Sequence, residues 1–449
     1  VRDEEETAVD ASAPTLRGID PLERETIRRV AWRLLPLLML GMFCSWLDRS
    51  NVGMAGPTMI PDLGFSNAVF GFGAGLFFVG YLFAEIPSCA ILNMVGARRW
   101  IARILITWGI ASGLTAFVWN DWTFYGVRLL IGLAEAGFFP GVVLYLTWWF
   151  PSYYRARMQG IFYSAGTISL IIGPPIGGLL LQLNGVLGLH GWQWLFVVEA
   201  LPAVVMGVVT WYLLTDRPTD AAWLRPDQRT WLAERLASEQ AQREAVRKYS
   251  LGEVFYNPKV WLLTLAWCGM GGANYGLAFF MPLIVKGLGV STNMIGLVSA
   301  MPYVFALAAM LLWGWHSDRT GERTWHAAGG FLLTAAGLGA CLLIGPNHPV
   351  VTVIALIFAV MGVMSTSPVF WTIPSAMLTG AAAAGGIALI NAGNALGGWL
   401  GPTVFGLVKD ATGNDNMALL SLALAPVISA VAVIVVGHDR RTERMPPRM

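Results

Sequence analysis

Residues 34–57 read LLPLLMLGMFCSWLDRSNVGMAGP. A helix needs about 20 apolar residues to cross the ~30 Å hydrocarbon core of a bilayer, and this run supplies them. It is too long for the apolar core of a signal peptide. The residues ahead of it also begin acidic, with Asp3, Glu4, Glu5 and Glu6, so the run reads as a first membrane span. Its anomaly is the adjacent pair Asp48 and Arg49. A charged side chain in hydrocarbon costs from ~2.5 kcal/mol upward, so it needs a partner and usually serves a function.

The same apolar signature recurs along the chain. Twelve stretches qualify, with limits near 34–57, 66–92, 100–119, 122–149, 158–183, 192–214, 258–285, 292–315, 325–345, 349–374, 381–408 and 416–437. Transmembrane β-strands would be about ten residues long and strictly alternating, and nothing of that kind occurs. Composition agrees: charged residues make up 12% of the chain, about half the share that covers a soluble globular surface. A soluble enzyme, a nucleic-acid binder and a secreted disulfide scaffold are therefore poor fits. Cys44, Cys89, Cys268 and Cys341 lie in or beside apolar stretches without a CxxC spacing. The five histidines form no HxxxH or HExxH, so no metal site and no cofactor are expected. The expected fold is an all-α polytopic membrane protein with twelve transmembrane helices.

Charge distribution orients it. With the N-terminus placed inside, 25 of the 29 Lys and Arg residues fall on the inner side. Both termini are thus expected in the cytoplasm. The expected organisation is a tail at 1–33, a six-helix bundle at 34–214, a polar linker at 215–257, a second bundle at 258–437 and a tail at 438–449. Pro226 is placed to start a short linker helix with Trp231, Leu232 and Leu236 on a narrow apolar face. The two bundles resemble each other. Gly96-Ala97-Arg98 matches Gly321-Glu322-Arg323, and Gly173-Pro174 matches Gly401-Pro402, at nearly one offset. Duplicated six-helix units with a site between them, near the bilayer midplane, are a transporter architecture.

Charges within the spans concentrate in the first half: Asp48, Arg49, Glu85, Arg128, Glu135 and Glu199. Arg128 and Glu135 stand two turns apart on one helix face, as Tyr81 and Glu85 stand one turn apart. Asp48 and Arg49 point about 100° apart and so serve different partners. The arginines offer forked donors suited to a carboxylate, and the buried carboxylates beside them are placed to accept protons. Glu199 reads as a hydrogen-bonding group nearer the outer surface. The second half holds neutral polar groups instead, among them Asn274, Tyr275, Asn391 and Asn394, with Trp371 deep in its span. After the eighth span, Asp318 and Arg319 sit between glycines and read as a gate latch, with Arg98 in the corresponding first-half loop.

Several segments carry a family resemblance: Leu47-Asp48-Arg49-Ser50-Asn51-Val52-Gly53, Gly96-Ala97-Arg98-Arg99-Trp100, the run from Arg128 through Glu135-Ala136-Gly137-Phe138-Phe139-Pro140-Gly141, Trp149-Phe150-Pro151 and Arg155-Ala156-Arg157. Over about residues 30–437 the chain resembles the major facilitator superfamily, and within it the anion:cation symporters. That resemblance implies import of a small carboxylate with protons, members carrying tartrate, sugar acids, phthalate or hydroxyphenylacetate. It implies proton coupling at Asp48 and Glu135. It places Arg49 and Arg128 on the substrate carboxylate, with Tyr81 and Asn394 as polar cavity positions; Trp371 is the added candidate. Thr167 follows Phe162-Tyr163-Ser164-Ala165-Gly166 where sugar-acid members often carry glutamine. The run Phe70-Gly71-Phe72-Gly73-Ala74-Gly75-Leu76-Phe77-Phe78 looks more like the tartrate and aromatic-acid branch. The expected protein is a monomeric importer in a bacterial inner membrane, driven by the proton gradient. An exchanger or exporter on the same fold is the alternative.

Overall fold

The structure is a computed structural model that describes residues 20–244, 256–344, 348–377 and 380–437. The first nineteen residues, part of the linker (245–255) and the C-terminal tail from 438 lie outside the described residues.

Helix α1, Pro21–Leu63, starts well ahead of the expected span. Asp20 caps it by accepting the Leu22 N–H at 3.0 Å, and Pro21 takes the first helical position, where its missing N–H costs nothing. Helix α2, Asn67–Val95, is capped by Ser66, which accepts the Val69 N–H at 3.1 Å. The chain continues through α3 (Ala97–Leu114), α4 (Asp121–Glu135), α5 (Phe138–Thr147), α6 (Ser152–Leu181), α7 (Gly191–Leu213) and the linker helix α8 (Pro226–Glu244). The second half holds α9 (Pro258–Gly287), α10 (Thr292–Thr320), α11 (Thr324–Ile344), α12 (Pro349–Phe370), α13 (Thr372–Met377), α14 (Gly380–Thr412) and α15 (Asp415–Val436). Eleven described helical segments are long and apolar enough to cross a membrane; α14 is not among them, but at 33 residues it has the length of a twelfth span.

One expected span is not one helix. The fourth, read as continuous over 122–149, breaks between α4 and α5. Ala136 takes an extended ψ of 133° and Gly137 a left-handed φ of 87°. The junction of α12 and α13 at Trp371, inside the tenth expected span, is no such break, since Trp371 keeps a helical φ of −66° and ψ of −17°. Discontinuous helices at membrane depth leave backbone groups free and point to a site rather than to plain packing.

The two halves meet closely at the face where α1 ends and α2 begins. Helix α2 runs against α14 and α6 against α10, at distances that leave no room for side chains. A Cβ on Gly71 would lie 2.1 Å from the Pro402 carbonyl oxygen, and one on Gly296 2.1 Å from that of Pro174. Polar ties reinforce this face. Asp410 of α14 accepts the Ala68 N–H at 2.6 Å, the Asn67 N–H at 3.1 Å and the Asn67 side-chain amide at 2.8 Å. It thereby caps the N-terminus of α2 from across the interface, where the helix dipole favours a negative charge. Lys286 of α9 donates to the Pro57 carbonyl of α1 at 2.6 Å. At the face where α1 begins, the linker docks on the first half: Arg225 pairs with Glu25, Arg29 bonds Gln228, Glu239 accepts from Ser152, and Leu232 is fully buried.

Partial burial pushes the Asp410 carboxyl up, but the Asn67 amide and the Ala68 N–H outweigh it and hold it below the ordinary aspartate value. A depressed value means the tie is lost only as pH falls through that lowered value, so it persists in mildly acidic medium. Asp410→Ala is expected to raise the population open at this face about three- to tenfold, since net hydrogen bonds to a charged group run to about 1.5 kcal/mol or more and partial exposure discounts them. Spin-label distances between the N-terminus of α2 and the end of α14 measure it; an unchanged distribution would show that Asp410 holds nothing shut.

Candidate substrate and proton site

Arg49 lies on α1 where the halves meet. Its Nη2 pairs with Glu135 Oε1 at 2.7 Å and its Nε donates to the same oxygen at 2.8 Å. Ser45 Oγ adds a third donor at 2.7 Å. Glu135 is fully buried, while the Arg49 side chain keeps 14% exposure, so the cation is the accessible member of the pair. Glu135 reaches it because α4 ends there: the break at Gly137 leaves the carboxylate on the last residue of a half-helix. Around the guanidinium stand the rings of Trp46, Phe77 and Tyr81 at 5.8, 5.2 and 5.2 Å. From the second half comes Tyr275 of α9, which interacts electrostatically with Arg49 and whose ring lies 4.2 Å from that of Phe78. Tyr163 of α6 faces the same group.

Asp48 points the other way, as a neighbouring residue on a helix must, and enters the core of the first half. Trp108 Nε1 donates to it at 2.6 Å, Ser112 Oγ at 2.8 Å and Asn51 Nδ2 at 3.2 Å. It is 2% exposed. Arg128 is also buried, and its Nη2 donates to the Ala74 carbonyl at 3.1 Å, beneath the Phe77 ring. The two-turn spacing of Arg128 and Glu135 therefore does not make them an ion pair; Arg49 takes that place.

The second-half candidates gather around Trp267 of α9. Asn394 Nδ2 donates to its carbonyl at 3.3 Å, and the Trp371 ring lies 5.3 Å from its indole. Asn394 and Trp371 thus form one cluster, about two turns along α9 from Tyr275. The loop residues differ from expectation in their partners. Asp318 pairs with Arg323 at 2.6 Å rather than with its neighbour, and Arg319 lies 5.4 Å from the Trp315 ring. The backbone N–H of Arg98, in the first turn of α3, donates to Asp216 just past α7 at 2.8 Å, while the Arg98 side-chain Nε donates to the Trp211 carbonyl of α7. The motif spacing did not disclose Ser45, Trp108 or Ser112 as partners. Their signal, a polar atom or indole on an otherwise apolar face, is common among structural residues.

A family model described as Major Facilitator Superfamily matches residues 38–402. The chain belongs to the major facilitator superfamily. It is 46% identical over 417 residues to an Agrobacterium vitis protein named "Putative tartrate transporter", covering 93% of this chain and 96% of that one. It is 38% identical over 416 residues to a quinolone resistance transporter of Acinetobacter baumannii, covering 92% and 95%. The solved D-xylose-proton symporter superposes with a TM-score of 0.73 at 15% identity, over 92% of this chain and 99% of that one, a likeness of fold. This major facilitator protein is a multi-pass membrane transporter, not an enzyme, and its twelve helices form the two six-helix bundles of that fold.

Proposed function

We propose that the chain imports a small organic anion, tartrate or an aromatic acid, by proton symport through alternating access. The setting is a bacterial cytoplasmic membrane with both termini inside. The observation that carries this reading is the Arg49–Glu135 pair: an accessible cation at the boundary of the halves, neutralised by a fully buried carboxylate. A proton on Glu135 removes its charge and leaves the guanidinium fork for a substrate carboxylate, which fits it in bidentate fashion. Tyr81 and Tyr275 border the anion from either half, and Trp371 with Asn394 forms the farther wall. Arg128 acts on Glu135 and Asp48 through its field rather than by touching the anion, since its guanidinium is committed to a backbone carbonyl. Asp48 is the second proton carrier. The Arg98–Asp216 and Asp318–Arg323 ties hold the loops that move when the halves rock.

Proteoliposome uptake under an imposed pH gradient tests the reading. Wild-type accumulation should follow the gradient. In Glu135→Gln the amide cannot cycle a proton, so gradient-driven accumulation should fall to the equilibrium level while counterflow exchange continues. Gradient-independent wild-type accumulation would remove proton coupling, and unchanged active uptake by the variant would remove Glu135 from it.

Export on the same fold is the second reading, motivated by the resemblance to the quinolone resistance transporter. Accumulation of substrate in inverted vesicles, rather than in right-side-out ones, would favour it.

A further inference from the structure

The rings around Arg49 have no part in the cycle proposed above. Trp46 stands three residues before Arg49 on α1 and so shares its face, while Phe77 and Tyr81 stand one turn apart on one face of α2. The guanidinium lies over all three rings, 5.8, 5.2 and 5.2 Å from their centres. At such distances a cation is drawn to the negative face of the ring. Phe77 is the hub of the group. It is 1% exposed, and Phe78 and Tyr81 brace its ring at 5.0 and 5.8 Å. Arg128 lies over the same ring at 5.4 Å, so one phenyl group faces both cations of the site.

Among the described residues Glu135 is the carboxylate that makes a salt bridge with Arg49. Asp48 is turned away to Trp108, Ser112 and Asn51. The other titratable or charged groups in electrostatic reach of the pair are Tyr81 and Glu85 on α2, Arg128 on α4, Tyr163 on α6 and Tyr275 on α9. When Glu135 takes a proton, Arg49 loses its paired charge before an anion has arrived. A lone cation in a largely dry site is costly. A ring face attracts the guanidinium and repels a carboxylate. Beside the neutral pair these two effects offset each other, and beside the lone cation only the attraction is left.

We propose that Phe77 is a positioning residue for the Arg49–Glu135 pair: its ring holds the guanidinium in place while Glu135 is protonated and no anion is bound. The proposal rests on the reading of Glu135 as a proton carrier. It also fixes a sign. A weaker ring makes the lone cation less favourable, so Glu135 takes its proton only at a lower pH.

Fluorination tests this, because each fluorine withdraws electron density from the ring face while the side chain keeps nearly the shape of phenylalanine. The samples are the full-length protein with mono-, di- and trifluorophenylalanine in place of Phe77. Infrared titration follows the C=O absorption of protonated Glu135, identified by its loss in Glu135→Gln. Its midpoint should fall step by step with fluorine number, by about one pH unit at three fluorines, a tenfold loss of proton affinity. The pH of half-maximal uptake in proteoliposomes should fall with it. An infrared midpoint that stays constant across the series would overturn the proposal. Phe77→Leu keeps an apolar side chain without a ring face and should move the midpoint at least as far as three fluorines; a Leu variant that titrates like wild type would also overturn it. If the Leu variant fails to fold, the fluorinated series decides. A falling infrared midpoint alongside wild-type uptake that ignores a pH gradient would sustain the role of the ring and defeat proton symport. No Glu135 band at any transporting pH would defeat the reading of Glu135 as a proton carrier, and this proposal with it.

Discussion

Arg49→Gln should reduce uptake at least about 100-fold and lower the thermal unfolding temperature of the detergent-solubilised protein. Breaking a buried ion pair by removing one partner costs about 3–5 kcal/mol, because the remaining charge stays buried and uncompensated. Here that charge is Glu135, fully buried and then left with Ser45 as its hydrogen-bond donor. Arg128, in electrostatic reach, is bound elsewhere and does not replace the lost cation. The stability loss and the transport loss have different origins and separate in the double variant. Arg49→Gln with Glu135→Gln removes both charges and leaves two amides able to bond each other, so the unfolding temperature should return close to wild type. Uptake should not return, because the fork for the substrate carboxylate is gone. Non-additive stability with additive loss of function is the signature of a cation that neutralises a carboxylate at rest and binds an anion when it is protonated. Recovery of uptake in the double variant would exclude Arg49 as the anion ligand.

The fold was legible because its signals are local. Apolar runs of span length and a charged linker each follow from the chain in short windows, and two glycine-bearing pairs recur at nearly one offset. Caps such as Asp20 and Ser66 are likewise set by the next three residues. The site was half legible. Asp48, Arg49, Arg128 and Glu135 stand out because charge in hydrocarbon is costly wherever it sits. Their partners depend on helix rotation, which spacing on one helix does not supply. The Arg128–Glu135 spacing was real, yet Glu135 pairs with α1 because its own helix stops at that residue. The neighbours of Glu199 were hidden for a similar reason: it is buried within reach of Asp48 and Asn51, which lie on α1 and not on its own helix. The Asp410 tie joins residues over three hundred positions apart, and no window along the chain contains it.

The helix break that places Glu135 yields the other large expectation: Gly137→Ala should abolish folded, transport-competent protein. Gly137 has a φ of 87°, a left-handed conformation that costs an L-residue roughly 1–2 kcal/mol. Beyond that cost, an alanine Cβ would lie 2.1 Å from Ser88 Oγ and 2.5 Å from Ser88 Cβ. Ser88 has little freedom to retreat, since its hydroxyl accepts the Trp100 Nε1 hydrogen bond at 3.0 Å and its side chain is buried. The alternative, letting α4 continue as a regular helix through 137, redirects α5 and withdraws Phe138 from Gly41 and from the Trp108 ring at 5.3 Å. Trp108 is the donor to Asp48, so the proton pocket would be disturbed along with the Arg49–Glu135 pair. Ser88→Gly in the same chain removes the collision but leaves the φ cost, so the double variant should regain folded yield in part. Gly126→Ala serves as the control on α4, because nothing lies within 4 Å of its added Cβ and helix propensity favours the change. Fluorescence-detected size-exclusion yield and proteoliposome uptake read all three. A Gly137→Ala protein that matches the Gly126→Ala control in both would mean that the break is dispensable, and that Glu135 reaches Arg49 without it.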